Sequence, residues 1–301
     1  MITNIINAAT LFEELDELIL RIIALLKKQR SFLGKNRDNI QRVSDIQQGL
    51  VYQKGIYLPL KSVEYRILFD GYEVAFLDVF ISLHERIFSE GKDNIFTQFS
   101  LRTLFEMGFP RAQMLFSKSL SESEKNKYKL LLMLADYGSM GFNNKQHVAH
   151  FQKLYDYYGG LLTENQHKIL KDLLNSIKNG DRDKHINLTQ KARKLIESVQ
   201  DSLFQKTPML SIFGKRNIKA MFSGFSHILH GNIFLILDIL SSKRPNQLKL
   251  RVYWFLLLTG INVVNQLANN IDNKPLNNEV LELNKDFVII AEKVKNFWEQ
   301  L

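Results

Sequence analysis

The chain has no cysteine in 301 residues, and only five prolines and fifteen glycines. Without thiols it has no disulfide, no Cys-ligated zinc, no iron–sulfur cluster and no thiol nucleophile. So few prolines and glycines argue against a turn-rich all-β sandwich. No segment alternates apolar and polar residues over a useful length, and nothing repeats at periods of about 20 to 50 residues. The phosphate-binding loop, the paired-glycine dinucleotide fingerprint, HExxH and the Gly-x-Ser-x-Gly elbow are all missing. Their absence argues against ATPases, Rossmann enzymes, zincins and α/β-hydrolases.

Residues 1–10 lack a basic cluster ahead of an apolar core, which predicts no secretory signal and a cytoplasmic location. The longest uncharged stretch, 252–271, carries Asn262, Asn265, Gln266, Asn269 and Asn270 in its second half. It retains about 13 truly apolar residues against the roughly 20 of a spanning helix, so it reads as a buried core helix.

Hydrophobic residues make up 45% and charged residues 24%, which suits a folded globular chain. Apolar positions recur at helical spacing nearly throughout. Thr10 with Glu13 forms a capping box ahead of Leu11, Leu15, Leu18, Ile22, Leu25 and Leu26, and Gly34 ends that helix. Further helices are predicted at 38–52, 62–88 and 94–108, the last broken or kinked at Pro110 because proline has no N–H for the ladder. Ser121 with Glu124 and Thr163 with Gln166 are two more capping boxes. Residues 138–144 read as a loop, and 188–204 as a short helix after a charged break at 181–184. Three long helices follow at 216–240, 247–270 and 278–300, separated by Pro245 and Pro275 at helix starts. The expected fold is all-α, a multi-helix bundle of about ten to eleven helices with no sheet. Residues 1–60 form an N-terminal helical hairpin and 61–301 the main bundle.

The net charge of +9 is concentrated in two places. Lys27, Lys28, Arg30, Lys35, Arg37 and Arg42 face only Asp38. Lys243, Arg244, Lys249 and Arg251 have no acid nearby between Asp238 and Asp272. Such patches hold nucleic-acid phosphates or an acidic partner; alternatively, each is a solvated helix end where cations offset the macrodipole.

Two constellations carry candidate chemistry. Arg102 and Glu106 stand four apart on one helix face among Leu101, Leu104 and Phe105, spaced to pair directly. If buried, they are a core ion pair that fixes helix register. The second constellation spans 222–232, where Ser223, Ser226, His227 and His230 follow helical spacing amid Phe222, Phe225, Ile228 and Leu229. Imidazole titrates near neutral pH and suits general acid–base work; the bland alternative is local hydrogen bonding with Gly224 and Gly231 allowing close packing. In a metal-free ribonuclease one histidine would take the 2′-hydroxyl proton while Arg102 steadied the phosphorane charge. Asp78, Asp136 and Asp238 interrupt apolar runs, but no Glu-x-x-His pair accompanies them, so neither metal nor cofactor is expected. His147 and His150 lie on a polar helix and are expected to be exposed. Tyr155, Tyr157 and Tyr158 beside Lys153 either stack bases or pack, and packing is the expectation.

The Arg102–Glu106 element, followed by Phe222, Phe225, Ser226 and His230, resembles the bacterial DUF5677 family of helical proteins over about residues 62–270. Phenylalanine stands where that family has Tyr and Leu. The arrangement is also distantly similar to HEPN domains, helical ribonucleases of toxin–antitoxin and phage-defence systems. Their arginine stands four to six residues before a histidine; here the arginine would come from another helix. The resemblance implies a protein acting on RNA in defence or stress, with His230 as general base and Arg102 as phosphate contact. Glu106, Ser226 and His227 complete the site. Lys27, Lys28, Arg30, Arg37, Lys243, Arg244, Lys249 and Arg251 form the electrostatic track. The competing expectation is a non-catalytic scaffold that binds a protein partner, with Arg102, Glu106 and His230 as a buried network. A second copy of the chain is a further candidate partner.

Overall fold

The computed structural model describes residues 8–33, 69–90, 95–141, 145–204 and 245–300. Among them there is no strand. Nine helices follow one another: α1 (Ala8–Leu33), α2 (Tyr72–Ser89), α3 (Ile95–Glu106), α4 (Glu122–Gly141), α5 (Lys145–Tyr158), α6 (Glu164–Lys178), α7 (Arg182–Phe204), α8 (Pro245–Ala268) and α9 (Lys274–Gln300). The all-α expectation holds. The expected ten or eleven included helices at 38–52 and 216–240, which lie outside the described residues. So does the second half of the expected N-terminal hairpin.

The described helices fall into two compact units. The first gathers α1, most of α2, α3, α8 and α9. The second holds the start of α2 and α4 to α7.

In the first unit α1 and α9 are built on the same spacing. Leu11, Leu15, Leu18, Ile22, Leu25 and Gln29 are buried along α1, at alternating intervals of four and three. Leu276, Val280, Leu283, Phe287, Ile290, Val294 and Phe297 repeat that alternation along α9. This is the apolar seam of a heptad pattern. Three ion pairs join the two helices: Glu14–Lys293 at 2.7 Å, Arg21–Asp286 at 2.6 Å and Lys28–Glu279 at 2.5 Å. As the number on α1 rises, that on α9 falls, so the helices run antiparallel, and successive rungs are one heptad apart. The polar seam residue Gln29 donates from Nε2 to the Val264 carbonyl at 2.8 Å, which ties α1 to α8.

Helix α8 is the central one. Residues Phe255, Leu256, Leu257, Ile261, Val263 and Val264 are buried on every side of it, as a helix enclosed by others requires. Two close approaches seat it. A Cβ on Gly260 would lie 2.5 Å from Ile22 Cγ2 of α1, and one on Gly108 would lie 2.5 Å from Thr259 Cβ. Asn265 and Asn284 exchange two amide hydrogen bonds, at 3.0 and 2.8 Å, between α8 and α9. Two of the asparagines that dilute the apolar run of 252–271, Asn262 and Asn265, are thus interhelix ties.

Helix α3 does not break at Pro110. It continues through a π-helical turn, Met107–Arg111, into Ala112–Phe116. The Ala112 N–H bonds to the carbonyls of Met107 and Phe109, which leaves that of Gly108 free of its usual partner. Asn262 Nδ2 of α8 donates to it at 2.7 Å. The wider turn accommodates a residue that lacks a donor, and a side chain from the neighbouring helix satisfies the displaced acceptor.

In the second unit two capping boxes form as predicted. Ser121 N–H donates to Glu124 Oε2 at 2.8 Å and Glu124 N–H to Ser121 Oγ at 3.3 Å. Thr163 and Gln166 reciprocate in the same way at α6. The Thr10 box does not form, because α1 already begins at Ala8 and Thr10 falls inside its first turn. Helix α4 runs on to Gly141 rather than yielding to a loop at 138. The reason is packing: a Cβ on Gly138 would stand 2.6 Å from Leu173 Cδ2, so glycine lets α6 approach there. Helix α7 starts at Arg182, earlier than the expected 188, because Asp181 Oδ1 accepts from the Lys184 N–H at 3.0 Å and caps it. Gly180, at φ 69°, reverses the chain between α6 and α7.

Candidate functional site

Arg102 and Glu106 occupy the last turn and a half of α3, directly before the π-helical turn. Arg102 Nε donates to Glu106 Oε1 at 3.0 Å, the pairing that the four-residue spacing predicts. The side chains keep 25% and 38% of their surface exposed. The pair is therefore not a dry register lock. Its apolar flanks Leu101, Leu104 and Phe105 are buried, which holds the backbone while the charged ends reach water.

Ser226, His227 and His230 lie outside the described residues, as do Lys35, Arg37, Arg42, Lys243 and Arg244. The convergence of Arg102 with the 222–232 segment is accordingly not a feature of the described structure.

The remaining cations of the two basic patches are placed. Arg30 is buried and makes a bidentate bond with Asp78, Nε to Oδ1 at 2.7 Å and Nη2 to Oδ2 at 2.6 Å. Lys27 pairs with Glu85 and Lys28 with Glu279. Lys249 Nζ sits 4.5 Å above the Phe12 ring, and Arg251 is exposed. From the first patch, then, Lys27, Lys28 and Arg30 each meet a carboxylate from another helix. Their charge is largely spent on interhelix pairing.

Sequence reasoning passed over the polar centre of the first unit, His84. It is fully buried on α2. Nδ1 lies 3.2 Å from the Phe80 carbonyl, and Nε2 lies 3.2 Å from both the Leu256 carbonyl and Thr259 Oγ1. A neutral imidazole has one N–H. The Thr259 hydroxyl donates to the Phe255 carbonyl at 2.7 Å, so its oxygen is left to accept, and a proton on Nε2 serves both Thr259 and the Leu256 carbonyl. Burial pushes the His84 pKa down to about 4, against the two carbonyls that favour the charged ring. At neutral pH it is a neutral tie between α2 and α8. The one available signal was its place four residues after Phe80 inside an apolar run.

His150, Tyr155 and Tyr158 resolve as packing or local bonding. His150 is buried with its ring stacked on Tyr137 at 5.4 Å, contrary to the expected exposure; the His147 side chain lies outside the described residues. Tyr158 stacks on Phe69 at 4.1 Å, and the Tyr155 hydroxyl meets His167 Nδ1 at 2.7 Å. Tyr157 is exposed. Of the acids weighed as metal ligands, Asp78 is held by Arg30, and Asp238 lies outside the described residues. Among the described residues no group of three or more His, Asp or Glu converges as a metal site, and no helix is long and apolar enough to cross a membrane. A groove of about 440 Å³ runs between α1 and α9, lined by Arg21, Ala24, Leu25, Lys28, Asn278, Glu279 and Glu282. Lys28 and Glu279 engage each other there, so no convergent set of free polar groups marks a ligand site.

No protein-family model, no curated protein and no solved structure matches the chain.

Proposed function

We propose that the protein is a HEPN-like helical protein of bacterial defence or stress that acts on RNA as a metal-independent ribonuclease, in a bundle of ten to eleven helices akin to the DUF5677 family. His230 takes the 2′-hydroxyl proton, Arg102 contacts the phosphate and stabilises the charge that develops on it, and Glu106 orients Arg102. Ser226 and His227 complete the site. One observation supports this reading above others: the Arg102–Glu106 pair is open to water on a helix face whose flanks are locked into the core. A guanidinium that keeps a quarter of its surface exposed while paired to Glu106 can still be reached by a phosphate, and a fully buried register pair could not.

A second reading, a non-catalytic scaffold, is favoured by the pairing of Lys27, Lys28 and Arg30 with Glu85, Glu279 and Asp78, which removes much of one electrostatic track. One experiment separates the two. RNA binding by mobility shift at low and high salt, and RNA cleavage without added metal, are measured for wild type, Arg102→Ala and His230→Ala, with melting temperatures alongside. The ribonuclease reading expects salt-sensitive binding, weakened by Arg102→Ala, and cleavage lost in His230→Ala at unchanged melting temperature. Absence of any RNA shift in the wild-type protein returns the scaffold.

A further inference from the structure

Helix α9 has a second face. Its seam is buried, yet Leu281, Val288 and Ile289 stand 59%, 58% and 55% exposed. At 100° per residue these three project to the side opposite the seam, together with Lys285 and Glu292, both exposed. Three large aliphatic side chains this open on one helix are more than scattered surface apolarity accounts for.

The charges around them are self-complementary in one orientation. Two copies of α9 laid antiparallel, with a two-fold axis between residues 288 and 289, bring Val288 against Val288 of the other copy on one side of the face and Ile289 against Ile289 on the other. The same operation sets Lys285 opposite Glu292 near the centre line of the face, and the pair occurs twice. A parallel arrangement would instead set Lys285 against Lys285 and Glu292 against Glu292. We propose that this face of α9 docks on the same face of a second copy of the chain, antiparallel, as an isologous dimer. Lys285 is bonded to Glu282 of its own helix at 2.7 Å, and both side chains remain well over half exposed, so the exchange of partners costs little desolvation. The apolar contact is a few side chains per copy, well below the area of a standard interface of about 1,600 Å². The dimer is therefore weak and concentration-dependent, with charge complementarity setting its geometry.

The test is sedimentation velocity on the full chain over a series of protein concentrations, at low and moderate salt. Wild type is expected to shift from monomer to dimer. Lys285→Glu or Glu292→Lys alone places like charges together twice and weakens association by about tenfold; the double variant Lys285→Glu/Glu292→Lys restores it. A wild type that stays monomeric throughout, or a dimer that the single reversals leave unchanged, overturns the proposal. Because the chain lacks cysteine, a second arm does not depend on those variants. Lys285→Cys protein is mixed with Glu292→Cys protein and oxidised. The disulfide between the two is expected to outrun either self-disulfide, and dominant self-disulfides overturn the antiparallel geometry.

Discussion

Arg21 Nη1 and Asp286 Oδ2 stand 2.6 Å apart, although 265 residues of chain separate them. They form the middle rung of the ladder between α1 and α9. Both side chains are two-fifths exposed, so the pair itself is worth about 0.5 kcal/mol. Its larger effect is on which register is allowed. Arg21→Asp is expected to lower stability and Arg21→Asp/Asp286→Arg to recover most of the loss, read as a double-mutant cycle in urea denaturation.

Arg30 and Asp78 are a different case, because the guanidinium is buried while the carboxylate is half exposed. Asp78→Asn leaves a buried cation short of its counter-charge. The expected loss is about 2 kcal/mol, larger than for any exposed rung of the ladder, and measurable in the same denaturation experiment.

Asn262 answers for a carbonyl that the π-helical turn displaces. Asn262→Leu keeps the volume and removes the donor, leaving the Gly108 oxygen buried without its side-chain partner. A loss of about 1–3 kcal/mol is expected. Hydrogen exchange of the amides around residue 112 would report whether the turn tightens to an ordinary helix in response.

Gly260→Ala is expected to cost about 1–3 kcal/mol, because the added methyl falls 2.5 Å from Ile22 Cγ2 within packed core. Gly160→Ala, where nothing lies within 4 Å, serves as the control and is expected to change the melting temperature little.

His84 makes stability pH-dependent with a definite sign. Its folded pKa, about 4, lies below the ordinary 6.5, so between those values the unfolded chain binds the proton and the folded one does not. Stability is complete above pH 6.5 and falls as the pH drops toward 4, by about 3 kcal/mol in all. His84→Gln is expected to be less stable at neutral pH but to show a shallower slope across that window by one proton, measured by denaturation at successive pH values.

Much of this architecture could be read directly from residue types. Helical periodicity alone placed Leu11, Leu15, Leu18, Ile22, Leu25 and Leu26 in the core, and all are buried. The Ser121 and Thr163 boxes are local chemistry, complete within four residues, and so were legible. Pro110 does interrupt the α-helical ladder, as its missing N–H requires, but the π-helical turn that carries the chain onward was not legible, because Asn262 comes from a distant segment to repair it. Gly138 misled, since its smallness serves Leu173 of another helix. For the candidate site, the Arg102–Glu106 bond followed from spacing, but its openness to water did not, because exposure depends on what packs nearby. His84 gave no motif at all; its environment is made by α8.

The α1–α9 ladder has a consequence during synthesis. Helix α1 leaves the ribosome with a full apolar seam and with acidic and basic residues awaiting opposite partners. Those partners, and the α8 carbonyl that receives Gln29, lie 235 to 279 residues further along the chain. The first unit therefore cannot zip shut until those segments have been made, and in the interval α1 presents the kind of unpaired amphipathic helix that chaperones bind.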